Sequence, residues 1–163
     1  MKTLYFDCSS GISGNMTLGA LLEIVGDNNY LLEELKKLNV DGYRIEISNK
    51  VKNGITGKYV DVILEDDEHE HHQEHEHQHA HRNLNDVNEI IDNSSIDDKS
   101  KELAKRIFLR VAKAESKVHN KPLEEVHFHE IGAIDSIVDI LGTAILINKI
   151  NHDKIMSSIV NDG

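Results

Sequence analysis

The spacing of apolar residues changes several times along the chain, and each change predicts an element. Lys2 to Phe6 reads as a short strand, followed by the small, flexible loop Asp7-Cys8-Ser9-Ser10-Gly11-Ile12-Ser13-Gly14. From Asn15 to about Val25, Met16, Leu18, Leu21, Leu22 and Val25 recur at helical spacing, and Gly26 supplies a stop. A second amphipathic helix over Tyr30 to Leu38 puts Leu31, Leu32, Leu35 and Leu38 on one side, with Glu33, Glu34, Lys36 and Lys37 facing water. It is expected to pack beside the first. Tyr43, Ile45 and Ile47 then alternate with Arg44, Glu46 and Ser48, and Val60, Val62 and Leu64 alternate again. Asn53-Gly54 between them is a pair that tight turns favour, so this stretch predicts a β-hairpin.

Helical spacing returns in a short segment near Val87 to Ile91 and a longer one from about Lys99 to Val118. The longer one carries Leu103, Ile107, Phe108, Val111, Ala114 and Val118 on its apolar face. The lone proline, Pro122, opens a new segment. Ile131 to Ile150 is apolar nearly all round and predicts a buried helix. The expected fold class is α/β (α+β), a small sheet including the hairpin with several packed helices. Residues 1–64 and 83–163 form one domain in this reading.

Between them, residues 65–82 shift to Glu, Asp, His and Gln, with Ala80 the one apolar side chain. Nothing there repays the entropy of ordering, so the stretch is expected to be a disordered insertion. Its centre alternates His69, His71, His72, His75, His77, His79 and His81 with carboxylates and glutamines. Neutral imidazoles suit borderline divalent metals such as nickel, zinc and copper, and a flexible tract captures one without a preformed cage. The plainer alternatives are a solvated acidic loop or a purification tag, and neither explains the alternation as well. The tract by itself does not choose nickel over zinc.

Composition narrows the partners. The net charge of -11 opposes binding to a phosphate backbone, so no nucleic acid is expected and cations are the natural guests. No apolar run approaches the roughly 20 residues that span a bilayer, and a charge arrives too early for a signal peptide, so a cytoplasmic protein without a membrane partner is expected. The single cysteine, Cys8, leaves metal binding to histidines and carboxylates. Self-association is left open.

Three further features carry chemistry. In Val126-His127-Phe128-His129-Glu130-Ile131-Gly132, His127 and His129 would share one face of a strand, and with Glu130 they could bind a metal or move a proton. Backbone-satisfied histidines would look the same. In the last helix Asp135, Asp139, Gly142 and Thr143 fall at i, i+4, i+7 and i+8, a narrow polar stripe that is either the wet side or the wall of a site. The loop after the first strand offers Asp7, Ser10, Ser13 and Gly14 where a sheet's carboxyl end meets a helix start. It matches neither a Walker loop nor the dinucleotide fingerprint.

The two segments Asp7-Cys8-Ser9-Ser10-Gly11-Ile12-Ser13-Gly14-Asn15-Met16 and Val126 to Asp139, in that order and separated by a His-rich acidic tract, resemble the LarC family of nickel-insertion proteins. The resemblance implies a CTP-dependent cyclometallase that inserts nickel into pyridinium-3,5-bisthiocarboxylic acid mononucleotide, for the cofactor of lactate racemase, the downstream recipient. It implies CTP with a divalent cation, Mg or Mn, held by a carboxyl-terminal domain absent from this chain, which is the amino-terminal part and should be inactive alone. The expected catalytic set is Asp7, His127, His129, Glu130 and Asp135, with Ser10, Ser13 and Gly14 for the precursor and the seven tract histidines for nickel. Any of Asp7, His129 and Glu130 could be the base. One departure stands out: the family usually has an acidic residue where this chain has Asn15, so no carboxylate role transfers there. Two rival readings remain, a nickel storage or delivery chaperone without catalysis, and a metal-dependent hydrolase using His127, His129, Asp135 and Asp139.

Overall fold

Helix caps decide where the predicted elements begin and end. The computed structural model describes residues 1–64, 82–128 and 132–161. Thr3–Phe6 is the first strand, β1, and Gly14–Val25 the first helix, α1. Ser13 Oγ accepts from the Met16 amide and so satisfies a donor that the first turn leaves open. Gly26 ends α1 in the left-handed region, at φ 72°. Asp27 accepts from the Tyr30 amide, which starts the second helix, α2, at Asn28–Lys36, two residues earlier than the apolar spacing indicates.

The hairpin is longer than its alternation predicts. Tyr43–Lys52 (β2) and Ile55–Leu64 (β3) pair antiparallel from Tyr43 opposite Leu64 to Lys52 opposite Ile55. Asn53 and Gly54 both have positive φ, 53° and 80°, which matches the strands' right-handed twist. The turn end is exposed, whereas Val60 is fully buried against α1. Gly19 permits that contact, because a Cβ there would stand 2.3 Å from the Lys58 carbonyl oxygen.

Leu84–Asn93 forms α3, longer than the apolar spacing shows because Asn83 and Asp86 cap each other's backbone at its start. Asp98–His119 forms α4, and a 3-10 turn at Leu123–Glu125 follows Pro122. Ile134–Ile150 is α5, buried on most sides as expected. A strand that the sequence does not announce, Lys154–Ser157 (β4), lies parallel to β1, with Thr3 opposite Lys154 and Phe6 opposite Ser157. Among the described residues there are thus two separate two-stranded sheets.

The core gathers around α5, with α1, α2 and α4 against it. α2 is expected beside α1, but its main partner is α5, where Gly142 leaves room for Leu31 and for Leu18 of α1. Leu18, Leu22, Leu141 and Ile145 are at most 1% exposed, and burying each contributes about 1.5–3 kcal/mol. Phe108 and Phe128 meet with ring centroids 6.0 Å apart and planes tilted by 54°. The expected disordered insertion lies outside the described residues apart from Arg82. That residue donates from Nη1 to the Gly132 carbonyl at 2.8 Å and accepts from the Phe128 amide at 2.9 Å.

Candidate active site

Packing α5 against the start of α1 leaves a cavity of about 400 Å³ beneath the loop that follows β1. Phe6, Cys8, Ile12 and Gly14 line it from the β1 side, Ile107 from α4, and Asp139, Ile140 and Thr143 from α5. Among the described residues Asp139 is the one carboxylate on these mostly apolar walls. Its Oδ1 is buried and meets no hydrogen-bond donor among the described residues. Its other oxygen, Oδ2, sits against Gly14 so closely that a Cβ there would lie 1.9 Å away. The glycine at the start of α1 is therefore a matter of space, since its φ is ordinary.

This surrounding raises the Asp139 carboxyl to about 6. Burial is the main cause, followed by the negative charges of Asp135, one turn earlier on α5, and Asp61 on β3. A group titrating there is ionised at neutral pH and still basic enough to take a proton. Asp7 is pushed the other way: hydrogen bonds from the Ser9 side chain and backbone hold its exposed carboxyl below the ordinary value.

The loop is fixed from several directions. Cys8 donates its amide to Ser158 Oγ at 2.8 Å, and its carbonyl accepts from the Gly11 and Asn161 amides. Asn15 donates from Nδ2 to the Val60 carbonyl at 3.0 Å and to Asp61 Oδ1 at 3.3 Å, which ties α1 to the hairpin. Its neutral amide is thus a donor to a backbone carbonyl and a carboxylate of β3.

Among the expected site residues, Gly14 lines the cavity and Asp135 sits beside Asp139, accepting from the Ser136 amide. Asp7 borders a neighbouring groove. Ser10 is exposed, and Ser13 is occupied in capping α1. His127 is exposed and bridges to Asn83, lining neither cavity. His129 and Glu130 lie outside the described residues, as do all seven tract histidines. Among the described residues, no group of three or more His, Cys, Asp or Glu is placed to hold a metal ion. Asp139 is the residue the expected set omits, although the i, i+4 stripe on α5 contains it. A wider depression of about 800 Å³ between α2 and β2 lies elsewhere, and its charged walls are neutralised locally, with Lys36 2.7 Å from Glu33.

The nickel insertion protein family matches residues 4–163. A pyridinium-3,5-bisthiocarboxylic acid mononucleotide nickel insertion protein from Acetivibrio thermocellus is 52% identical over the whole chain and 40% of its own length. The protein of the same name from Clostridium kluyveri is 50% identical, over the whole chain and 41% of its length. A protein described as a nickel insertion protein from Dictyoglomus thermophilum is 48% identical over 97% of the chain and 38% of its length. No solved structure matches. The chain spans about two fifths of the length of these relatives, and it belongs to the nickel insertion protein family.

Proposed function

We propose that this chain is the precursor-binding and nickel-collecting portion of a CTP-dependent enzyme that inserts nickel into pyridinium-3,5-bisthiocarboxylic acid mononucleotide. The observation that carries the reading is the match along the whole chain to relatives bearing that name. The nickelated product would serve lactate racemase in the cytoplasm. CTP with Mg or Mn would bind in the portion of the family protein that this chain lacks, so the chain alone would be inactive.

Nickel is cargo in this scheme, gathered by the histidines between His69 and His81. Covalent attachment to the fold would then raise the local concentration of nickel at the site and shorten its search. At the ring carbon a carbon–nickel bond forms as the carbon–hydrogen bond breaks, and the proton needs an acceptor. Among the described residues Asp139 is the acceptor this reading favours, being ionised at neutral pH, raised in basicity and set on mostly apolar walls. The two thiocarboxylates bind nickel through sulfur, and nickel remains divalent throughout. Asp7, held ionised, favours approach of the dication. His129 and Glu130 keep their proposed roles in orienting metal or precursor, and Ser10, Ser13 and Gly14 theirs in holding the precursor.

Nickel delivery without catalysis is the second reading, in which the histidines between His69 and His81 are the whole function. Asp139→Asn tests the catalytic reading. In the complete enzyme it should abolish nickelated product, read by mass spectrometry, while nickel bound per chain is unchanged. Product formation at the wild-type rate would refute Asp139 as the proton acceptor, and full insertion without this chain would leave delivery as its function.

A further inference from the structure

The β1–β4 pair has the form of a sheet fragment. Parallel strands are normally covered on both faces, and two strands alone are marginal in water. The Lys2 and Phe6 carbonyls accept from the amides of Asp153 and Ser158 on the β4 side. Strand alternation therefore turns the peptide groups of Thr3 and Tyr5 to the opposite edge of β1. No described strand pairs with that edge.

Beside it, α1 presents Met16, Ala20 and Ile24 at i, i+4 and i+8, one apolar stripe. Met16 is 54% exposed, Ile24 58% and Tyr5 56%, a concentration of apolar surface unlike the scattered exposure of an ordinary surface. Edge and stripe bound a groove of about 160 Å³ floored by Leu4 and Leu21. A backbone seated there would find hydrogen-bonding groups on one side and an apolar helix face on the other.

We propose that this groove receives a β-strand from the portion of the family protein that this chain does not contain. The strand would pair with Thr3 and Tyr5 and lay alternate apolar side chains on Met16, Ala20 and Ile24. Two facts favour that occupant over a second copy. The relatives extend well beyond the matched two fifths, so a segment of the same polypeptide is at hand. The free edge of β1 is only four residues long, too little for a stable interface between separate molecules but enough for a tethered segment at high effective concentration.

Hydrogen exchange tests this without nickel or CTP, so its outcome is separable from that of the insertion reading. The 163-residue chain is compared with the same chain joined to the remaining segment of a relative. Thr3 and Tyr5 amides should exchange at least about ten-fold more slowly in the longer protein, and that protection should vanish in its Met16→Glu, Ile24→Glu variant. Both replacements are on exposed positions, and unchanged exchange at Leu141 and Ile145 verifies that the fold survives. Equal exchange of Thr3 and Tyr5 in the two proteins would overturn the proposal. So would concentration-dependent protection in the short chain, which would assign the edge to a second copy.

Discussion

Replacing Asp139 by Asn should stabilise the fold above neutral pH while removing the proposed proton acceptor. In the folded protein this carboxyl is raised from 3.8 to about 6, so between those values the folded state holds a proton that the unfolded chain has released. The stability this provides is complete below about pH 4 and is lost as pH rises through about 6. At 1.36 kcal/mol per pH unit the elevation corresponds to about 3 kcal/mol, and solvent reaching the partly open site screens it to about 1–2 kcal/mol. Asn carries no charge and can donate to Asp135 or Asp61. At pH 8 the variant should therefore be more stable by that amount, and at pH 4 the two proteins should be nearly equal. With a urea m-value of about 2 kcal/mol/M, the unfolding midpoint should rise by about 0.5–1 M at pH 8 only. A shift of the same size at both pH values, or a lower midpoint in the variant at pH 8, would refute the reasoning. Gain of stability with loss of insertion is the trade-off expected where a charge is held against its preference for function.

Other perturbations reach the same site from different sides. Gly14→Ala should cost about 1–3 kcal/mol in chemical denaturation despite alanine's better helix propensity, because its methyl overlaps Asp139 Oδ2, and insertion should fall with it. Gly19→Ala should cost at least as much, since the methyl meets the rigid Lys58 carbonyl 2.3 Å away instead of a movable side chain. Asn15→Asp removes the donor to Val60 and Asp61 and sets two carboxylates together; thermal melting should show a loss of about 1–2 kcal/mol at pH 7 that diminishes as pH falls toward 4. Deleting residues 65–81 should lower the nickel bound per chain in equilibrium dialysis while leaving the melting transition in place.

Much of the fold was legible because its periods are local. The spacing of Leu18, Leu21 and Leu22, the Asn53-Gly54 turn and the apolar run through Ile145 each identify an element without help from elsewhere. The start of α2 and the length of α3 were displaced by side-chain caps at Asp27 and at Asn83 with Asp86, which apolar spacing does not register. β4 is four residues long, and its partner lies some 150 positions away, so nothing near Lys154–Ser157 announces it. The site was half legible. The stripe of Asp135 and Asp139 is plain in the sequence, but which of the two carboxylates faces the cavity depends on Gly14 and α1 packing over it. Asp61 alternates with Val60 and Val62 in sequence, and only the docking of the hairpin on α1 brings it to Asn15.

The central claim is tested most directly by reconstituting CTP-dependent nickel insertion from this chain, the remaining portion of the family protein and the bisthiocarboxylate precursor, with mass spectrometry of the product. Nickelated cofactor should form in the complete mixture and in none from which either polypeptide is omitted. Product formed at full rate without this chain would contradict its catalytic role.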